Sequence, residues 1–202
     1  MASGYREKMY VIPPRNPTAS PEMIDLTPYY TSSKRGYNSL AALPGGLRTI
    51  ASTPFDIRGV IELSRMQDRG VEGAYPEKIT GIKIGLKSRR LHFLHATNFE
   101  TKDGTRVGDY VVHYANHETQ VIPIVYGKDL RNWWTVPGEP FNTQNSTLVW
   151  IGSNPVVQSQ SKSLRMFKSA WENPVPDEEI ISLDFLSAMS DAAPFLMAIT
   201  AD

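Results

Sequence analysis

A chain of 202 residues with 21 basic and 21 acidic side chains has no net charge to draw it to nucleic acid or an anionic surface, and its 41% apolar residues suffice for one buried core. The absence of cysteine excludes disulfides, thiol catalysis and Cys-ligated zinc together. No run of about 18 apolar residues reads as a membrane-spanning segment, and the first residues, Met1 to Lys8, lack the apolar centre of a signal peptide.

Residues 1–23 contain Pro13, Pro14, Pro17 and Pro21 among Asn, Thr and Ser. Prolines at that density break helices and sheet ladders, so this segment reads as a tail or linker. The folded part is expected to be a single domain over residues 24–202, opening at Ile24-Asp25-Leu26. From there short alternating runs dominate, the pattern of antiparallel strands with one wet face. Phe55, Ile57, Ile61 and Leu63 share one parity, opposite Asp56, Arg58 and Glu62. Ile82, Ile84 and Leu86 alternate with Lys83 and Lys87. Ile181, Leu183 and Phe185 alternate with Ser182 and Asp184, and Phe195, Met197 and Ile199 repeat the spacing. Val121 to Tyr126 and Leu148 to Ile151 are apolar on both parities, which predicts strands in a sheet interior. Pro44-Gly45-Gly46, Asp103-Gly104, Pro137-Gly138 and Asn173-Pro174 punctuate the runs as turns. Ser64 to Ala74 and Ser187 to Ala192 each have room for a helical turn. The pattern predicts an all-β, two-sheet antiparallel β-sandwich or jelly roll of about eight to ten strands.

All four histidines fall between residues 92 and 117. His92 and His95 point to opposite faces of a regular strand, and His113 and His117 stand roughly 13 Å apart at about 3.3 Å per residue. Neither pair grips one ion, so no metal site is expected. If Asp103-Gly104 centres a hairpin, His92 and His113 meet across it. Asp109, Glu118, Asp129 and Glu139 supply carboxylates, but no nucleophile elbow, phosphate loop or zinc-protease motif accompanies them. Lys87-Ser88-Arg89-Arg90 reads as a solvated strand end, so nucleic acid is not an expected partner. Asn145-Ser146-Thr147 matches a glycosylation acceptor.

The segment Tyr126 to Trp134 carries more chemistry. Two adjacent tryptophans cannot both point inward from an extended chain. In one reading, Trp133 or Trp134 stacks on the C–H face of a sugar while Asp129, Arg131 and Asn132 meet its hydroxyls. In the other, one indole caps the core and Arg131 pairs with a carboxylate. Trp171, Tyr37, His92 and His113 are secondary candidates for ligand contact, and Trp150 reads as core.

Several runs together resemble a known family. These are Ile24-Asp25-Leu26-x-Pro28-Tyr29-Tyr30, Phe55 to Val60, Ile79-x-Gly81-Ile82-Lys83-Ile84-Gly85 and Leu91 to Ala96. Ile122 to Gly127, Trp171-Glu172-Asn173-Pro174 and Ala193-Pro194-Phe195-Leu196-x-Ala198-Ile199 complete the set. The chain resembles galactose-binding-like jelly-roll domains of large exported or membrane-anchored proteins in Planctomycetes and Verrucomicrobia, over about residues 24 to 200. The resemblance implies a fold similar to carbohydrate-binding modules, an extracellular or periplasmic place and neighbouring domains or protein partners. Such folds often hold a structural calcium, but no calcium-loop motif stands out and no cofactor is expected. It implies no catalytic residue. The expected function is a non-catalytic glycan-binding accessory module. The alternatives are a structural or protein-interaction module of a larger assembly, and a small glycan-active enzyme with a His/carboxylate cleft.

Overall fold

The computed structural model describes residues 11–34 and 40–202, so Tyr37 lies outside the described residues. Twelve strands follow one another among those residues: β1 (Ser32–Ser33), β2 (Gly46–Ile50), β3 (Thr53–Ile57), β4 (Gly59–Glu62), β5 (Lys78–Lys87), β6 (Arg90–Asn98), β7 (Arg106–Tyr114), β8 (Thr119–Val125), β9 (Thr147–Gly152), β10 (Leu164–Glu172), β11 (Glu179–Ser187) and β12 (Ala193–Ala201). They build a six-stranded sheet ordered β1-β4-β12-β6-β10-β9, a four-stranded sheet ordered β5-β11-β7-β8, and the hairpin β2-β3. The named strands pair antiparallel throughout, so the chain is an all-β sandwich.

Aromatic packing joins the two large sheets. The rings of Phe93 on β6 and Tyr110 on β7 stack with centroids 4.1 Å apart, and Tyr110 meets Phe185 of β11 at 5.0 Å. Stacked rings fill the space between pleated faces with little side-chain entropy to lose. The other face of the large sheet is also covered. Thr200 Oγ1 donates to the Pro54 carbonyl, and Lys168 Nζ donates to the Ala51 carbonyl and Thr53 Oγ1, which seats the β2-β3 hairpin on that side. Residues 22–24 run beside the end of β12, with the Ile24 N–H on the Ile199 carbonyl at 3.0 Å and the Ala201 N–H on the Glu22 carbonyl at 2.9 Å. Arg15 ties the proline-rich segment down by donating to the Ser20 and Met23 carbonyls.

This third layer changes what alternation means. Every residue of β12 is buried, as is all of β6 between its end residues, so Phe195, Met197 and Ile199 have no wet neighbours. Phe55 to Leu63 is likewise two strands in different sheets, broken at Arg58. Asp56, Arg58 and Glu62 are buried rather than solvated. Arg58 therefore carries its own partners, with Nε on Asp56 at 2.8 Å and an Nη on Asp25 at 2.6 Å.

Four further expectations are corrected. In β11 the pairing shifts between Ile180 and Ser182, so Ile180, Leu183 and Phe185 face inward while Ile181 is 48% exposed. A bulge flips the parity beyond it. Val121 to Tyr126 and Leu148 to Ile151 do not lie in a sheet interior, because β8 and β9 are edge strands. Asp103-Gly104 joins β6 to β7 across the two sheets and centres no hairpin, which separates His92 from His113. Met66–Asp68 makes a 3-10 turn inside the expected stretch, whereas Ser187 to Ala192 contains no helix and the α-helical turn falls at Pro155–Gln158.

Candidate functional site

The segment after β8 is a buried latch. Gly127 has φ +80°, and a Cβ there would stand 2.6 Å from the Asp103 carboxyl carbon, so only glycine lets the chain turn back under that side chain. Residues 131–133 then run along the end of β6, with the Thr97 N–H on the Arg131 carbonyl at 3.1 Å and the Trp133 N–H on the Thr97 carbonyl at 2.9 Å. Arg131 donates to both Asp103 oxygens at 2.8 Å, lies 3.0 Å from Glu139, and gives Nε–H to the Asn142 carbonyl. The guanidinium holds the Asp103 carboxyl below the usual carboxylate range. Asn132 donates to Glu100 and accepts the Trp134 N–H. Trp133 is buried with its Nε1–H on Asn98, and the half-buried Trp134 meets it edge-on at 5.9 Å. Arg131, Asn132 and Trp133 thus come together, with their polar groups engaged inside the fold.

Arg165 of β10 completes the latch. Fully buried, it donates to the Asn132 carbonyl at 2.8 Å, the Pro140 carbonyl at 2.9 Å and the Glu139 carboxylate. Glu139 in turn accepts the Tyr126 hydroxyl at 2.6 Å.

Asp129 behaves differently, because it faces a cleft of about 270 Å³ between the sheets. Buried Phe93, His95, Tyr110 and Ile124 form its depth. Trp171, Ser169, Ile122, Pro123, Asp129 and Asn145 form its more exposed margin. The larger sheet lends residues of β6 and β10 to the cleft and the smaller sheet residues of β7 and β8, and β8 is an edge strand with no neighbour on its outer side among the described residues. Asp129 Oδ2 accepts the Val125 N–H at 2.7 Å, and Oδ1 accepts Asn145 Nδ2–H at 3.1 Å. Burial pushes this carboxyl up, opposed by the Val125 N–H. Among the described residues no arginine or lysine lines the cleft, although the Lys128 charge acts on Asp129 from the adjoining position.

His95 Nδ1 lies 3.1 Å from the Tyr110 hydroxyl. Burial pushes the imidazole down to about 3, and burial with the nearby Asp129 charge drives the Tyr110 phenol well up. Both groups are neutral at ordinary pH. An imidazole this weakly basic is poorly matched to general-base work near neutrality.

The remaining histidines sit elsewhere. His92 Nε2 lies 2.8 Å from Asp202, and His113 Nε2 lies 2.9 Å from Asp184, in a separate cleft of about 390 Å³ on the small sheet. Among the described residues no three His, Asp or Glu side chains are grouped to hold a metal ion. No helix there is long and apolar enough to cross a membrane.

Asn145 and Ser169 escaped the sequence reading as site residues. Asn145 carried only the glycosylation pattern, and Ser169 is one polar residue in an alternating strand, so neither had a signal of its own. Trp171, a secondary candidate, lines the same cleft as Asp129 although 42 positions separate them. The chain matches no family model, no curated protein and no solved structure.

Proposed function

We propose that the chain is a non-catalytic glycan-binding module of the galactose-binding-like jelly-roll kind, working outside the cytoplasm beside other domains, with the inter-sheet cleft as its binding site. The observation that carries this reading is one cleft combining a half-buried indole, Trp171, with the hydrogen-bonding groups of Asp129, Asn145 and Ser169. A sugar ring needs that pairing, an apolar plate for its C–H face and fixed polar groups for its hydroxyls. The volume lies just below the about 300–1,000 Å³ of drug-sized ligand sites, which matches a single sugar ring. A carboxylate with no lining cation favours neutral sugars over uronic or sialic acids.

Binding of the protein to a neutral-glycan array or affinity gel tests the reading. Trp171→Ala and Asn145→Ala should each weaken retention about tenfold or more, the loss of roughly 1.4 kcal/mol, while the circular dichroism spectrum is unchanged. Binding indifferent to both substitutions, or no binding across a broad array, would overturn it.

A further inference from the structure

The charged residues of this chain are unevenly spread. Residues 140–161 contain none, whereas the next longest uncharged stretch spans residues 36–47. The uncharged stretch holds β9 and the short helical turn Pro155–Gln158, so it forms the border of the six-stranded sheet beyond β10. Three large apolar side chains in it are open to solvent: Phe141 at 46%, Ile151 at 57% and Val156 at 55%. Phe141 and Ile151 adjoin the same residue. The Arg165 guanidinium carbon lies 5.9 Å from the Phe141 ring centroid, and Ile151 pairs with Arg165 across the ladder.

The other long sheet edges are guarded. β5 carries Lys78, Lys83 and Lys87 and two shifts of register, and β8 carries Pro123, which has no N–H to offer. β9 has one irregularity, the extra residue Val149 opposite the Met166/Phe167 step, and neither charge nor proline. Among the described residues its outer amides and carbonyls have no backbone partner.

We infer that this border is a self-association surface, on which a second copy of the chain sets its own β9 and residues 140–161 about a two-fold axis. A two-fold contact brings a patch against itself, so any charge near the axis meets its like. Among the described residues this border alone joins a long uncharged stretch to an unpaired strand edge that a second β9 satisfies. A six-residue edge carrying Ile151, with Phe141 and Val156 beside it, falls short of the roughly 1,200 Å² of a stable interface, so the dimer dissociates on dilution.

Sedimentation velocity of the full chain, from micromolar to millimolar concentration and from low to high salt, tests the inference. The expected result is a shift towards twice the 22.6 kDa monomer mass, undiminished by salt. Ile151→Lys and Val156→Lys should each lower the association constant about tenfold or more, a cost of roughly 1.4 kcal/mol, with an unchanged circular dichroism spectrum. Ile181→Lys, on the outer face of the small sheet, should leave association unchanged. A monomer at every concentration, a dimer that salt dissolves, a dimer indifferent to the lysines at 151 and 156, or open-ended growth beyond the dimer would each overturn it.

Discussion

Replacing Arg165 with methionine tests whether the latch under residues 126–142 holds the domain together. The side chain is fully buried and holds the Asn132 and Pro140 carbonyls and the Glu139 carboxylate at once. Methionine fills much of the volume but donates nothing, which leaves two inward carbonyls without Arg165 and deprives Glu139 of one of its two arginines. Breaking one side of a buried ion pair costs about 3–5 kcal/mol, against a total stability of about 5–15 kcal/mol. For a chain of this length that lowers Tm by about 6–20 °C, at about 2–4 °C per kcal/mol. Glu139→Gln should cost less, because Arg131 keeps its two bonds to Asp103 and the amide still accepts from Tyr126. The double variant should lose less than the sum of the singles, since the two residues share one interaction. Guanidinium denaturation reads each value as a shift of midpoint at constant slope. A loss below about 1 kcal/mol for Arg165→Met, the level of one ordinary hydrogen bond, or strict additivity, would refute the latch.

His95 should make the protein acid-sensitive. Its imidazole stays neutral in the folded state down to about pH 3, while the unfolded chain takes up a proton below about 6.5. Across that window the unfolded state binds more protons, so stability falls as pH drops, by up to about 1.4 kcal/mol per pH unit. Midpoints measured from pH 7 to pH 4 should show a shallower slope in His95→Gln, and an unchanged slope would count against the burial argument. Gly108→Ala should destabilise by about 1–3 kcal/mol, because a Cβ there stands 2.5 Å from the Leu186 carbonyl oxygen of the paired strand. A Tm equal to that of the parent would show that β7 and β11 can separate more easily than the packing implies.

Alternation and turn residues were enough to read an antiparallel all-β sandwich, because a pleated strand reports the burial of its own two faces at a spacing of two residues. Ile82 and Ile84 show this directly, buried beside exposed Lys83. The same local signal could not separate a strand covered on both faces from an apolar strand at an edge. Met197 on β12 and Ile151 on β9 both sit in runs rich in apolar residues, one buried and one exposed. What decides between them is the neighbouring strand and the third layer, which come from distant parts of the chain. The polar residues behaved likewise. Asp129, Arg131 and Asn132 stand together in the sequence, yet Arg131 closes on Asp103 while Asp129 opens towards Trp171. Adjacency along the backbone sets which side chains share a turn. Which of them meets solvent is set by the long-range packing of β6, β8 and β10 around that turn, and only the tertiary structure decides it.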